Sequence, residues 1–209
     1  MRIIIFLLLP LLSGCMSASF LQDSNILDPA TIRGGIGVTY LGHYGPLMEC
    51  SGRVGIVRDL DMGIKFGINL MHSNSAIKTD YAIQNCDIRY QLVNNPIRTI
   101  IGIGLSNFVL GSYPSNGDDV HVLAFQPFVL IGQTNWYFAI RPYYSYGNGI
   151  VNHITDPLIF EKDRWSTYAL TVGGSFPIAK SHILLEFNYF RFINNQMIII
   201  PAIGLQTDF

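Results

Sequence analysis

The feature that most constrains this chain is its last segment, Met197 to Phe209, where side-chain character alternates with a period of two. Every second residue back from Phe209 gives Thr207, Leu205, Ile203, Pro201, Ile199 and Met197; the interleaved set is Asp208, Gln206, Gly204, Ala202, Ile200 and Ile198. Successive residues of a strand point to opposite faces, so one face is apolar and the other grows polar toward the terminus. The segment is long enough to cross a bilayer, which takes a tilted strand of about 9–11 residues.

The same grammar runs back to Gly34, with alternating runs separated by turn residues. The runs are Gly35–Leu41, Cys50–Val57, Met62–Met71, Asp80–Leu92, Ile97–Phe108, Val120–Ile131, Trp136–Tyr146, Trp165–Phe176 and His182–Ile193, with the terminal segment as the tenth. In the third, Met62, Ile64, Phe66, Ile68 and Leu70 share a face; in the eighth, Tyr168, Leu170, Val172 and Phe176 do. Short turns at Asp59-Leu60, Asn94–Pro96, Gly132–Asn135 and Ala179–Ser181 then fall on the side of the chain ends. The longer connections, including 111–119 and 148–164, fall opposite. Short inner turns with long outer loops, and an even strand number, are what a transmembrane barrel requires. The expected fold is an all-β, antiparallel, up-and-down transmembrane barrel of about ten strands, with eight as the alternative because strands one, two and four have weak boundaries. Pro127, Pro142 and Pro201 lie inside proposed strands, where each removes a ladder donor, and so predict bulges or strand ends.

Composition supports a lipid-facing exterior. Only 13% of residues are charged and 49% are apolar, against about 25% charged in soluble domains, and mean hydropathy is +0.32. The formal net charge of −1 attracts no nucleic acid. Trp136 and Trp165, with Tyr40, Tyr90, Tyr144, Tyr146 and Tyr168, suit interfacial girdles.

The beginning has a different pattern. Arg2 precedes the apolar run Ile3–Leu12, then Ser13-Gly14-Cys15. A short charged region, a short apolar region and a small-residue cleavage site make a secretory signal rather than a membrane span. Leu12-Ser13-Gly14-Cys15 resembles the lipobox of bacterial lipoproteins, and the terminal Phe209 resembles the assembly signal of outer-membrane barrels. Together these place the chain beside the small bacterial outer-membrane β-barrel lipoproteins. The resemblance implies a signal peptide at 1–14, lipid attachment at Cys15, the export machinery for lipoproteins and the assembly machinery for barrels as partners, and outer-membrane lipid as surroundings. The alternative is an ordinary signal peptide with a chance cysteine. Residues 15–33 are polar, small and aperiodic and are expected to be a periplasmic tether, with the barrel at 34–209.

If the apolar parity faces lipid, the other parity lines the lumen: Arg53, Lys65, Asp87, Arg89, Gln126, Tyr137, Arg141, Tyr143 and Glu186. In a narrow lumen these charges pair, because unpaired buried charge is costly. That makes a structural polar plug; the surplus of four basic over two acidic groups alternatively makes a constriction favouring small anions.

No cofactor motif is present. Gly34-Gly35 and Gly173-Gly174 sit in strands, as close-packing or bulge positions, not phosphate cradles. Cys50 and Cys86 fall on non-neighbouring strands, which opposes a disulfide, and lack zinc spacing. His72-Ser73-Asn74-Ser75 faintly resembles the His-x-Ser pattern of lipid A deacylases, but Asn74 stands where the serine belongs and the serines take the opposite face, which breaks the base–nucleophile pairing of acyl transfer. His43, His121, His153 and His182 lack an evident partner, and Asp118, Asp119 and Asp156 read as solvated loop carboxylates. Three functional classes remain: a structural or narrow-pore barrel, an envelope lipid-modifying enzyme, and a lipocalin-like lipoprotein with an apolar interior.

Overall fold

A computed structural model describes residues 21–40, 46–69, 81–110, 120–148, 165–191 and 197–209. Ten antiparallel strands form one closed barrel: β1 (Ile32–Tyr40), β2 (Pro46–Val57), β3 (Leu60–Asn69), β4 (Tyr81–Val93), β5 (Arg98–Leu110), β6 (Val120–Gly132), β7 (Trp136–Asn148), β8 (Trp165–Ile178), β9 (Ser181–Arg191) and β10 (Met197–Asp208). Each strand pairs with its sequence neighbours. β10 closes the cylinder on β1, from Arg33↔Asp208 to Thr39↔Ala202. Closure leaves the sheet without a free edge, as a wall facing hydrocarbon would require, since an unpaired backbone group there costs several kcal/mol. This settles ten strands against eight.

The connections at Arg58-Asp59, Asn94–Ile97, Gln133–Asn135 and Ala179-Lys180 share one rim with the entry to β1 and the end of β10. Two of these turns use a left-handed residue, Asp59 (φ 66°) and Ala179 (φ 53°). The opposite rim carries the strand ends that border 41–45, 70–80, 111–119, 149–164 and 192–196, which lie outside the described residues.

Alternation sorts the wall as the pattern requires. Ile36, Ile64, Phe66, Ile88, Ile103, Val172, Phe187, Ile199 and Ile203 stand exposed on the outside, while their strand neighbours Arg53, Lys65, Asp87, Arg89, Glu186 and Gln206 are buried. Tyr90 and Trp136 lie toward the turn rim and Tyr40 and Tyr144 toward the other, all exposed. An oily outside with charge within reverses the soluble-protein arrangement and opposes the lipocalin-like reading, which needs a charged exterior and an apolar interior. Cys50 and Cys86 are free.

Inside, large side chains lie over glycines on the strand opposite. Gly102 faces Phe128 and Gly173 faces Tyr137 in register. A Cβ on either glycine would run into the facing ring, so Gly173 is a close-packing position. Ladder irregularities occur at Gly55/Val57 and Gln91/Val93. Pro127 and Pro142 cause neither bulge nor strand end, because β6 and β7 run through them.

One expectation is corrected. Within the segment read as a tether, residues 21–27 run inside the barrel, Asp28, Pro29 and Ala30 are exposed, and β1 begins at Ile32. Leu21, Gln22, Asp23, Ser24 and Leu27 are buried. The reason is space: ten strands enclose a wider lumen than the eight that side chains alone just fill, and this segment occupies the remainder.

Candidate functional site: the lumen

All six charged residues expected inside, Arg53, Lys65, Asp87, Arg89, Arg141 and Glu186, are buried, as are Gln126, Tyr137 and Tyr143. The structure divides them between two layers and adds partners that the sequence pattern did not single out.

The layer nearer the turn rim is built on Asp61, the second residue of β3. Its carboxylate accepts from Arg53 Nη1, from Arg89 Nε (2.9 Å) and Nη2 (2.6 Å), and from the backbone N–H of Leu27 (3.2 Å). Arg53 reaches on to Asp87, which also accepts from Gln22 Nε2 at 3.0 Å. Arg89 Nη1 donates to the carbonyl of Asp23 at 2.9 Å and its Nη2 to that of Asn25 at 3.0 Å. Arg33 Nη1 donates to Asp23 Oδ1 at 2.8 Å while its Nε and Nη2 grip Asp208 across the closing β1–β10 pair. Planar guanidinium forks suit such multiple acceptance.

The second layer lies deeper. Tyr137 Oη donates to Glu186 Oε1 at 2.7 Å, and Asn188 Nδ2 to Glu186 Oε2 at 3.2 Å. Arg141 Nη2 donates to Thr171 Oγ1 (2.9 Å) and Asn188 Oδ1 (2.7 Å), and its guanidinium lies 5.8 Å and 5.7 Å from the ring centres of Tyr143 and Phe190. On the facing wall Thr39 Oγ1 donates to Glu49 Oε2 at 2.6 Å, with Lys65 Nζ 3.9 Å from Glu49 Oε1.

The expected cationic surplus disappears once these partners are included. Among the described residues Arg33, Arg53, Lys65, Arg89 and Arg141 are buried against Asp23, Glu49, Asp61, Asp87 and Glu186. Five charges of each sign among the described residues leave no cationic surplus, on which the anion constriction was based. Asp61 shares its parity with Lys65, and Glu49 shares its parity with Arg53. Alternation carried to the true strand starts would have found both. Asp23 had no such signal, because it belongs to no strand.

The segment at 21–27 is two-faced in the same way as the lumen. Leu21 and Ile26 pack with Ile100, Phe128, Leu130, Leu184 and Ala202, while Gln22, Asp23 and Asn25 address the arginines and Asp87. Gln206 Nε2 donates to the Leu21 carbonyl at 2.8 Å, and Ser24 Oγ to that of Gln133 at 2.6 Å. Backbone meets backbone at Gly55, where a Cβ would run into the carbonyl of Asp28. Two spaces remain beside Leu21, about 10 Å³ each, room for about one water apiece.

A serine–histidine contact is present among the described residues. Ser175 Oγ is 3.4 Å from His182 Nδ1, but Ser175 is buried and Asp208 is engaged by Arg33. Cys15, His43, His72–Ser75, Asp118, Asp119, His153 and Asp156 lie outside the described residues.

Among solved structures the chain is similar to an outer-membrane channel from Pseudomonas putida, with a TM-score of 0.50, 10% identity, and 91% of this chain and 100% of that one covered. It is also similar to the N-terminal β-barrel domain of OprF from Pseudomonas aeruginosa, with a TM-score of 0.44, 8% identity, and 88% and 100% covered. No protein-family model and no curated protein matches the sequence. At such identity the likeness to the channel is one of fold, and the fold is that of a small outer-membrane barrel with ten antiparallel strands.

Proposed function

We propose that this chain is an outer-membrane lipoprotein whose barrel is a closed structural body rather than an open pore. Signal residues 1–14 direct export, Cys15 carries the lipid on the periplasmic side, and the barrel takes outer-membrane lipid as its solvent. The lipoprotein-export and barrel-assembly machineries are its partners on the way.

The observation that supports closure is the matched ionic layer threaded by residues 22–25. Arg89 is held by Asp61 and by two carbonyls of that segment, so an ion passing through must separate buried, desolvated pairs. Breaking such a pair by removing one partner costs about 3–5 kcal/mol. The purified protein in planar bilayers is expected to give a silent trace, and regular conductance steps would overturn the closed reading. Faster gel migration before boiling than after tests the barrel itself. Loss of radiolabelled palmitate in Cys15→Ala tests the anchor.

A further inference from the structure

One seam of the barrel differs from the other nine. Between β6 and β7 the ladder is intact at Phe125↔Tyr144 and at Val129↔Ile140, and no pair forms between them. The gap is centred on two prolines that share the same register, Pro127 directly opposite Pro142. On their other sides both strands remain paired, as Ile103↔Pro127 and Pro142↔Tyr168. An antiparallel ladder alternates hydrogen-bonded with non-bonded pairs. Uninterrupted outer ladders therefore mean that both prolines turn their polar groups toward each other. Both donors are missing from one pair, and the two carbonyls lack the N–H that a ladder supplies elsewhere.

The position of the gap matters. Pro127 is five residues from the end of β6 at Gly132, and Pro142 six from the start of β7 at Trp136. At about 2.5 Å of height per residue in a tilted strand that is roughly 13–15 Å above the turn rim, near the middle of an apolar band about 25 Å tall. Here an unsatisfied backbone group is most costly and water least able to replace the donor. Outside, the seam is flanked by Phe125 and Tyr144, whose rings are 6.4 Å apart.

Behind it Gln126 and Arg141 are buried beside the prolines, next to an apolar cluster. Ala124, Tyr143, Ala169, Phe190 and Ile200 form a buried cluster, with the Tyr143 and Phe190 rings 5.9 Å apart. The Arg141 guanidinium borders this cluster, 5.8 Å and 5.7 Å from the two ring centres and held by Thr171 and Asn188, while the network of Arg53, Asp61, Asp87 and Arg89 belongs to the other side of the barrel.

We propose that the β6–β7 seam is a lateral portal, where the wall parts at Pro127 and Pro142 and a phospholipid acyl chain enters from the bilayer, displacing the Tyr143 and Phe190 rings in the apolar side of the lumen. The occupant follows from the surroundings: at mid-bilayer the neighbouring molecule is an acyl chain, and the cluster behind the seam offers it apolar contact. The proposal rests on the lipid-facing exterior and goes beyond the closed-body reading, since an acyl chain can enter sideways without opening an axial path for ions.

Fluorescence quenching tests it. The full chain, with Trp136→Phe and Trp165→Phe, receives one reporter tryptophan at a time and is reconstituted into phosphatidylcholine vesicles brominated at mid-chain. Tyr143→Trp places the reporter behind the seam, Tyr144→Trp outside it, and Leu47→Trp on the opposite inner wall; Phe190→Trp replaces Tyr143→Trp if that variant loses its heat-dependent gel shift. The expected result is loss of emission for Tyr144→Trp and Tyr143→Trp but not for Leu47→Trp. The Tyr143→Trp loss should vanish when Pro127→Val and Pro142→Val return both donors to the ladder. Emission from Tyr143→Trp as persistent as that from Leu47→Trp would overturn the portal, and so would quenching indifferent to the proline replacements. Unquenched Tyr144→Trp would instead sink the lipid-facing exterior on which the portal depends.

Discussion

The inner wall of this barrel is two walls. From β1 to β4 it presents Arg33, Glu49, Arg53, Asp61, Lys65, Asp87 and Arg89; from β5 to β10 it presents Ile100, Phe128, Leu130, Ala139, Tyr143, Ala169, Leu184, Phe190 and Ile200 around one polar cluster of Arg141, Thr171, Glu186 and Asn188. The first is held by charge-assisted hydrogen bonds among side chains that cannot be removed singly. The second is held mainly by packing around that cluster, where each apolar side chain contributes its own share. Buried surroundings admit either solution. Residues 21–27 join the two because their side chains match both.

The largest expected effect tests the charged wall. Asp61→Ala strands Arg53 and Arg89 in a buried site and should cost about 3–5 kcal/mol, read as a lower midpoint in urea unfolding from lipid vesicles. High salt should leave the wild-type midpoint nearly unchanged, because buried pairs are screened far less than exposed ones; a midpoint that falls steeply with salt would place these charges in contact with solvent. Leu184→Ala tests the packed wall and should cost about 2–5 kcal/mol by transfer and cavity terms. Unlike Asp61→Ala, it should add to a distant substitution such as Leu47→Ala without coupling. Strong non-additivity there would erase the contrast between the walls.

Tyr137→Phe probes the boundary, removing the hydroxyl that donates to Glu186. It should cost about 1–3 kcal/mol for a buried acceptor deprived of its donor; an unchanged midpoint would mean that Glu186 takes an equivalent bond elsewhere. The smallest change lies outside both walls. Ala179→Gly relieves a left-handed residue in the exposed β8–β9 turn and should raise stability by about 1 kcal/mol. Destabilisation would show that the turn conformation differs.

Much of the wall is legible in the sequence. Period-two runs located all ten strands, with starts displaced by at most four residues, because a strand with lipid on one side and a filled lumen on the other must alternate. The displaced starts had consequences. Beginning β2 at Cys50 omitted Glu49, and beginning β3 at Met62 omitted Asp61, so the lumen looked cationic when it is balanced. The prolines were recognised as donor losses, but their mutual placement depends on register. Pro127 and Pro142 are opposite only because the β6–β7 turn pairs Gly132 with Tyr137.

Local chemistry was enough to decide which side chains face outward and which face inward, since alternation is a property of each strand by itself. Only the closed structure could decide what meets inside: Asp61 between two arginines, Leu21 against the apolar wall, and two prolines across one seam. Those encounters join residues far apart in the chain, and their partners are fixed by circumference, shear and register, none of which any single segment contains.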